Sequence, residues 1–237
     1  MGEFLTRFTE CSLFTFSVKD IKTHKIIMNN KACAEVWGLA DVGLQGMTSA
    51  DCLDQVPNFK EKDTVLKAFE EEENKAIHAN NTQSKLITIL DYEGFVRVRQ
   101  HATIPVMNSQ NRTVAIAAIC HNLTVYTPLL ELLELYQHYY SKLKAVEHLS
   151  KYLKLDHYFH TKLTFGELAS LLALIQDPRR KVAAQRLTKF RKKSISPATV
   201  SGYVDSMKDK LKSHADFYIL LSHLRVQHQW TTKLDIC

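Results

Sequence analysis

The sequence predicts an α+β chain: an antiparallel five-stranded sheet with helices, then a helical linker, then an all-α domain. Three observations predict it. In residues 14–119, apolar residues alternate in short runs divided by turn residues, the period of half-buried strands. From Thr127 the apolar spacing changes to 3 and 4, the period of helices. The charge is also uneven. The 237 residues sum to +6, yet residues 162–214 hold 12 basic and 4 acidic residues, a local +8 that leaves −2 for the rest. A basic excess confined to one segment is expected of a module that meets a polyanion. The expected domains are 1–125, 126–160 and 161–237.

Taken in order, Phe14, Phe16 and Val18 alternate as a first strand, and residues 25–28 make a second. Residues 30–37 carry Ala32, Cys33, Val36 and Trp37 at helical spacing, closed by Gly38. An acid-rich helix over residues 60–78 turns Val65, Leu66 and Phe69 to one side, and Asn80-Asn81 ends it. Leu86, Ile87, Ile89 and Leu90 form a third strand, turned at Tyr92-Glu93-Gly94. Residues 95–106 and 114–119 complete a meander around the turn at Asn108-Ser109-Gln110-Asn111.

The stretches "VKDIKTHKIIMNNKACAEVWGL" and "LDYEGFVRVRQHATIPVMNSQNRTVAIAAICHNLT" resemble the opening and the end of a PAS sensory domain, over residues 12–125. The resemblance implies a sensor whose input is a small ligand or a protein contact. No cofactor is expected. Cys33 lacks the Asn-Cys-Arg-Phe context of flavin-binding relatives, His78 reads as an exposed helix-end histidine rather than a haem ligand, and Trp37 and Cys52 read as core.

In the next segment Leu132, Tyr136, Tyr139, Leu143 and Val146 step by 4, 3, 4 and 3, a heptad seam of coiled-coil type broken at Ser150. The stripe either packs on its own domain or pairs with a second chain. Self-association is the favoured expectation, because the apolar residues would otherwise stay wet.

The third segment opens with a capping box at Thr164-Phe165-Gly166-Glu167. Leu168, Leu171, Leu172 and Ile175 follow on one face. Asp177-Pro178 reads as cap and first residue of a second helix, with Val182, Ala183, Leu187 and Phe190 inward. Ser196-Pro197 repeats that device for a third helix, which turns Val200, Val204, Met207 and Leu211 inward and Ser201, Gly202, Asp205, Asp209 and Lys212 outward. Residues 216–227 resume a helical pattern through Phe217, Leu220, Leu221 and Leu224, and Trp230 is expected to pack on apolar neighbours.

Ser196, Thr199-Val200, Met207 and Lys210-Leu211, with Leu163-Thr164, Glu167, Ala183 and Leu187 upstream, resemble the helix-turn-helix of LuxR type. The resemblance implies that the third helix enters a major groove of double-stranded DNA. It places Ser201, Gly202 and Asp205 at base-facing positions. Ser196, Thr199, Lys208, Lys210 and Lys212 become phosphate candidates, joined by Arg179, Arg180 and Lys181 at the start of the second helix. Two departures stand out. "TKFRKKS" (residues 188–194) adds residues between the second and third helices, as either more helix or a longer loop, and we read its Lys189, Arg191, Lys192 and Lys193 as further phosphate anchors rather than a solvated loop. Tyr203 stands where the family often has histidine, and Asp205 either accepts from a cytosine amino group or repels the backbone. With about six of these cations on phosphates, log K against log salt would fall with a slope of roughly −5.

Together these readings imply a cytoplasmic, sequence-specific transcription regulator, dimeric through the linker helix, with its input at the PAS-like domain. The alternative is a protein–protein interaction module whose degenerate helix-turn-helix does not read DNA. An enzyme is not expected, for no Gly-rich phosphate loop, nucleophile elbow or HExxH occurs. No export signal or membrane span is evident. Five scattered cysteines without CxxC spacing point to a reducing compartment, with no disulfide framework and no metal site.

Overall fold

The computed structural model describes residues 14–56, 62–213 and 215–228. The chain divides into two compact units, Met1–Leu123 and Thr124–Cys237.

In the first unit, β1 (Thr15–Asp20) and β2 (Ile26–Asn29) form an antiparallel pair. Two short helices follow, α1 (Lys31–Val36) and α2 (Ser49–Leu53), then the long α3 (Lys62–Ala79). The meander of β3 (Gln83–Leu90), β4 (Val96–Met107) and β5 (Thr113–Asn122) completes a five-stranded antiparallel sheet of order β2-β1-β5-β4-β3. The expected α+β architecture is present. The crossover arises because β5 pairs with β1, Phe16 opposite Ile119 and Val18 opposite Ala117.

The residue before α1 has a definite role. Asn30 is buried and caps α1. Its Oδ1 accepts from Cys33 N at 2.9 Å and from Phe16 N at 3.0 Å, while its Nδ2 donates to Phe14 O at 2.7 Å. One side chain thus ties the helix start to β1. Gly38, just past α1, has φ +73°, and a Cβ there would lie 2.8 Å from the Tyr92 ring. Both the left-handed backbone and the close ring demand glycine. The α2 helix, which periodicity did not reveal, is held by the capping box of Thr48 and Asp51. Ion pairs Lys19–Glu73 and Lys85–Glu72, with Phe69 stacked on His101 at 5.6 Å, lay α3 on the sheet.

The second unit is helical: α4 (Leu129–Tyr139), α5 (Lys142–Tyr152), α6 (Phe165–Gln176), α7 (Arg180–Arg191), α8 (Pro197–Asp209) and α9 (Phe217–His228). Every residue of α6 from Glu167 to Ile175 is buried, as befits a helix enclosed all round. It packs against α4, α5, α7, α8 and α9. Arg225 of α9 completes it, donating to Leu174 O at 2.6 Å and Ile175 O at 2.9 Å, two carbonyls a helix end leaves orphaned.

Here the expectation of one heptad helix is corrected. Tyr140 is extended, with φ −128° and ψ 155°, so the segment breaks into α4 and α5. Leu132, Tyr136 and Val146 of the seam are buried within the unit, Tyr139 is half-buried, and Leu143 is 78% exposed. The break lets two short helices both reach α6 where one straight helix could not. The second helix of the basic trio also starts later than expected. Asp177 ends α6, and α7 begins at Arg180 with Arg179 as N-cap. Trp230 and His214 lie outside the described residues.

Candidate nucleic-acid interface

The α8 helix starts sharply because Ser196 accepts from Thr199 N at 3.1 Å and Pro197 occupies its first turn. Val200, Val204 and Met207 are buried, and Leu211, just past the helix, bridges to Phe159. The opposite side is open: Gly202 and Asp205 are exposed, Ser201 is half-exposed, and a Cβ on Gly202 would touch nothing within 4 Å. Buried Val200 beside open Gly202 is the arrangement a docking helix needs.

What holds α8 in place is a buried carboxylate. Glu167, in the first turn of α6, accepts from Thr164 N at 2.6 Å, Ser206 Oγ at 2.6 Å and Lys210 Nζ at 2.7 Å. Burial works to raise its pKa. The hydrogen bonds from Lys210, Ser206 and Thr164 outweigh burial and hold the group down at about 2. Sequence alone showed only the capping box; the same side chain also clamps the far end of α8.

That clamp changes the list of phosphate candidates. Lys210 is committed to Glu167, with its side chain 24% exposed. Lys212 Nζ donates to Asp156 O at 2.7 Å. Arg179 grips Asp177 with two bonds, Nε to Oδ1 at 3.0 Å and Nη2 to Oδ2 at 2.7 Å. Lys208 lies 4.0 Å from Asp205 and over the Tyr218 ring, and Arg191 lies over the Phe165 ring. Arg180 Nη1 donates to Ser201 Oγ at 2.9 Å, bringing a cation onto a serine expected to face bases. Thr199 and Ser196 share a hydroxyl contact at the helix start. Lys181, Lys189, Lys192 and Lys193 are exposed, with no ion-pair partner among the described residues.

The inserted "TKFRKKS" lengthens α7 through Arg191 and ends it at Lys192, whose φ of +50° is left-handed. Thr188 Oγ1 then takes a bond from Ile195 N at 3.0 Å and folds the turn back. Lys192 and Lys193 are thereby set in the turn before the α8 N-terminus, whose backbone N–H groups attract anions.

The first unit contains a cavity of about 90 Å³ with Trp37, Phe69, Ile89, Arg99, His101 and Cys120 among its walls. His101 sets Nδ1 against Cys120 Sγ at 3.0 Å and Nε2 against Thr103 Oγ1 at 3.0 Å, and burial pushes its pKa down to about 4. Burial likewise pushes the Cys33 thiol up to about 12 and Cys52 to about 11. His78 turns Nδ1 to Asn74 O on an exposed helix end. No group of three metal-ligating side chains occurs among the described residues, nor any helix long and apolar enough to cross a membrane. Sequence reading missed Arg99, since a lone arginine in a strand normally marks the wet face.

The chain thus joins a unit built on a five-stranded antiparallel sheet to a helical unit in which α7, a turn and α8 follow one another. No protein-family model matches the sequence, and no curated protein does. Among solved structures, the chain is similar to Vibrio cholerae VqmA in a ligand–DNA complex, at 18% identity over 96% of this chain and 88% of that one, TM-score 0.47. It is also similar to phage VqmA in complex with DPO, at 15% identity over 98% and 89%, TM-score 0.43. Over 52% of this chain and 96% of the other it is similar to a PAS domain from Colwellia psychrerythraea, at 16% identity and TM-score 0.42.

Proposed function

We propose that the chain is a sequence-specific DNA-binding transcription regulator whose PAS-like unit senses a ligand or partner and controls the helix-turn-helix. One observation carries the reading. The α8 helix buries Val200, Val204 and Met207, leaves Gly202 open, and is preceded by exposed Lys192 and Lys193, which have no ion-pair partner among the described residues. In a major groove, Ser201, Gly202 and Asp205 face base edges, while Lys181, Lys189, Lys192, Lys193 and Arg180 meet phosphates. Lys210, Lys212 and Arg179 contribute less, being engaged elsewhere. With about five phosphate contacts per chain, log K against log salt falls with a slope of about −4.5 for each chain bound. Retention of random and genomic duplexes across a salt series tests this: the expected result is that slope together with an enriched sequence. Asp205, exposed at a base-facing position, favours the second reading, a protein-binding module; its signature is no slope and no enriched duplex.

A dimer on paired half-sites completes the proposal. Pairing through residues 126–160 reduces to Leu143 and Tyr139, because the rest of the seam is buried within the unit. Sedimentation of Leu143→Glu tests that contact. The expected result is a monomer, and an intact dimer places the contact on another surface.

A further inference from the structure

Arg99 is 5% exposed, and its Nε has no hydrogen-bond partner. The carboxylates nearby are occupied: Asp91 by Arg97 at 2.6 Å, Glu73 by Lys19 at 2.5 Å and Glu72 by Lys85 at 2.8 Å. No ion pair to Arg99 exists among the described residues. Burial pushes its pKa down, yet a guanidinium stays charged in a protein. The other polar walls add no unpaired negative charge: Glu73 is held by Lys19, burial keeps the Cys33, Cys52 and Cys120 thiols protonated, and His101 stays neutral at ordinary pH. An unpaired buried charge opposes folding unless something neutralises it. Arg99 is also one of the residues that line the cavity.

We infer that this cavity binds a small organic monocarboxylate, its carboxylate paired with Arg99 and its short apolar tail against Trp37, Phe69 and Ile89. The inference rests on the sensory reading of the PAS-like unit and names its ligand class. Three features select that class. The planar fork of arginine matches a carboxylate in two parallel bonds. One guanidinium neutralises one charge, so a dianion such as phosphate would leave a buried charge behind. The volume of about 90 Å³ is smaller than the roughly 150 Å³ of a cavity that takes up benzene, which favours a short chain.

The test uses the full chain with Trp230→Phe, which leaves Trp37 as the only one of two tryptophans. Its emission is followed while acetate, propionate and butyrate are titrated against acetamide, propionamide, butyramide and inorganic phosphate. The expected result is saturable binding of at least one acid, at least tenfold tighter than its amide and than phosphate. Arg99→Gln is expected to erase that preference, and Arg99→Lys to keep part of it. Should Arg99→Gln fail to fold, the acid–amide comparison in the parent and the Arg99→Lys variant decide. Ligand-free Arg99→Met is expected to melt no lower than the parent, whereas a purely structural arginine would show a drop. Equal binding of acid and amide overturns the inference while leaving a ligand-sensing cavity. So does acid binding that survives Arg99→Gln. If no compound moves Trp37 emission, the ligand class is wrong, and the DNA salt series still judges the regulator reading on its own.

Discussion

Glu167 accepts three hydrogen bonds in a buried position, and its carboxyl is held at about 2 rather than its ordinary 4.5. A depressed carboxylate contributes stability that is full above the unfolded pKa and is lost as pH falls through the folded one. The expected window is therefore pH 4.5 down to 2, and the contribution at neutral pH is about 3 kcal/mol. Denaturation at pH 7 and pH 3 checks it: Glu167→Gln should be weaker than the parent at pH 7, and the gap should narrow at pH 3. Two glycines make a second residue-level contrast. A Cβ on Gly166 would lie 2.6 Å from the Tyr203 ring, while one on Gly202 meets nothing. Gly202→Ala should therefore raise stability by about 0.5–1 kcal/mol, the helix preference of alanine over glycine. Gly166→Ala should destabilise by about 1 kcal/mol or more, and the penalty should shrink in a Tyr203→Ala background, as a double-mutant cycle reads contacting residues.

At the scale of elements, strands and helices were legible where the apolar period was long and a cap marked the start. Thr164 and Ser196 declared α6 and α8. The α4–α5 break was not legible, since Tyr140 and Ser141 include neither proline nor glycine and the heptad runs through them. Tertiary packing onto α6 decided it. The start of α7 was misplaced for a related reason: Asp177 looks like a cap, but its oxygens are taken by the Arg179 amide and guanidinium. Arg99 was invisible because alternation reports two faces and cannot say that both are covered. The lengthened α7 carries its own prediction. Lys192→Glu/Lys193→Glu should weaken DNA binding for all sequences alike, lowering the salt slope by about 2 without changing the preferred site. A changed preference would place these lysines on bases instead.

For the whole molecule, the expected boundary at residue 161 and the observed one after Leu123 make opposite demands on a fragment. Residues 124–237 retain α4 and α5 over α6, and should show cooperative helical unfolding with the parent's salt slope. Residues 161–237 strip that cover from α6, a helix buried throughout from Glu167 to Ile175. They should be poorly soluble or non-cooperative by circular dichroism. The division of charge, by contrast, was plain from the first reading: the +8 of residues 162–214 falls wholly inside the helical unit.

The anchoring of α8 at its C-terminal end, through Lys210 and Ser206, has an evolutionary consequence. The mooring shares no side chain with Ser201, Gly202 or Asp205, so exchanges at those three positions leave the Glu167 clamp intact. On the proposed function, descendants of such a chain can drift to new operators while the scaffold stays as it is.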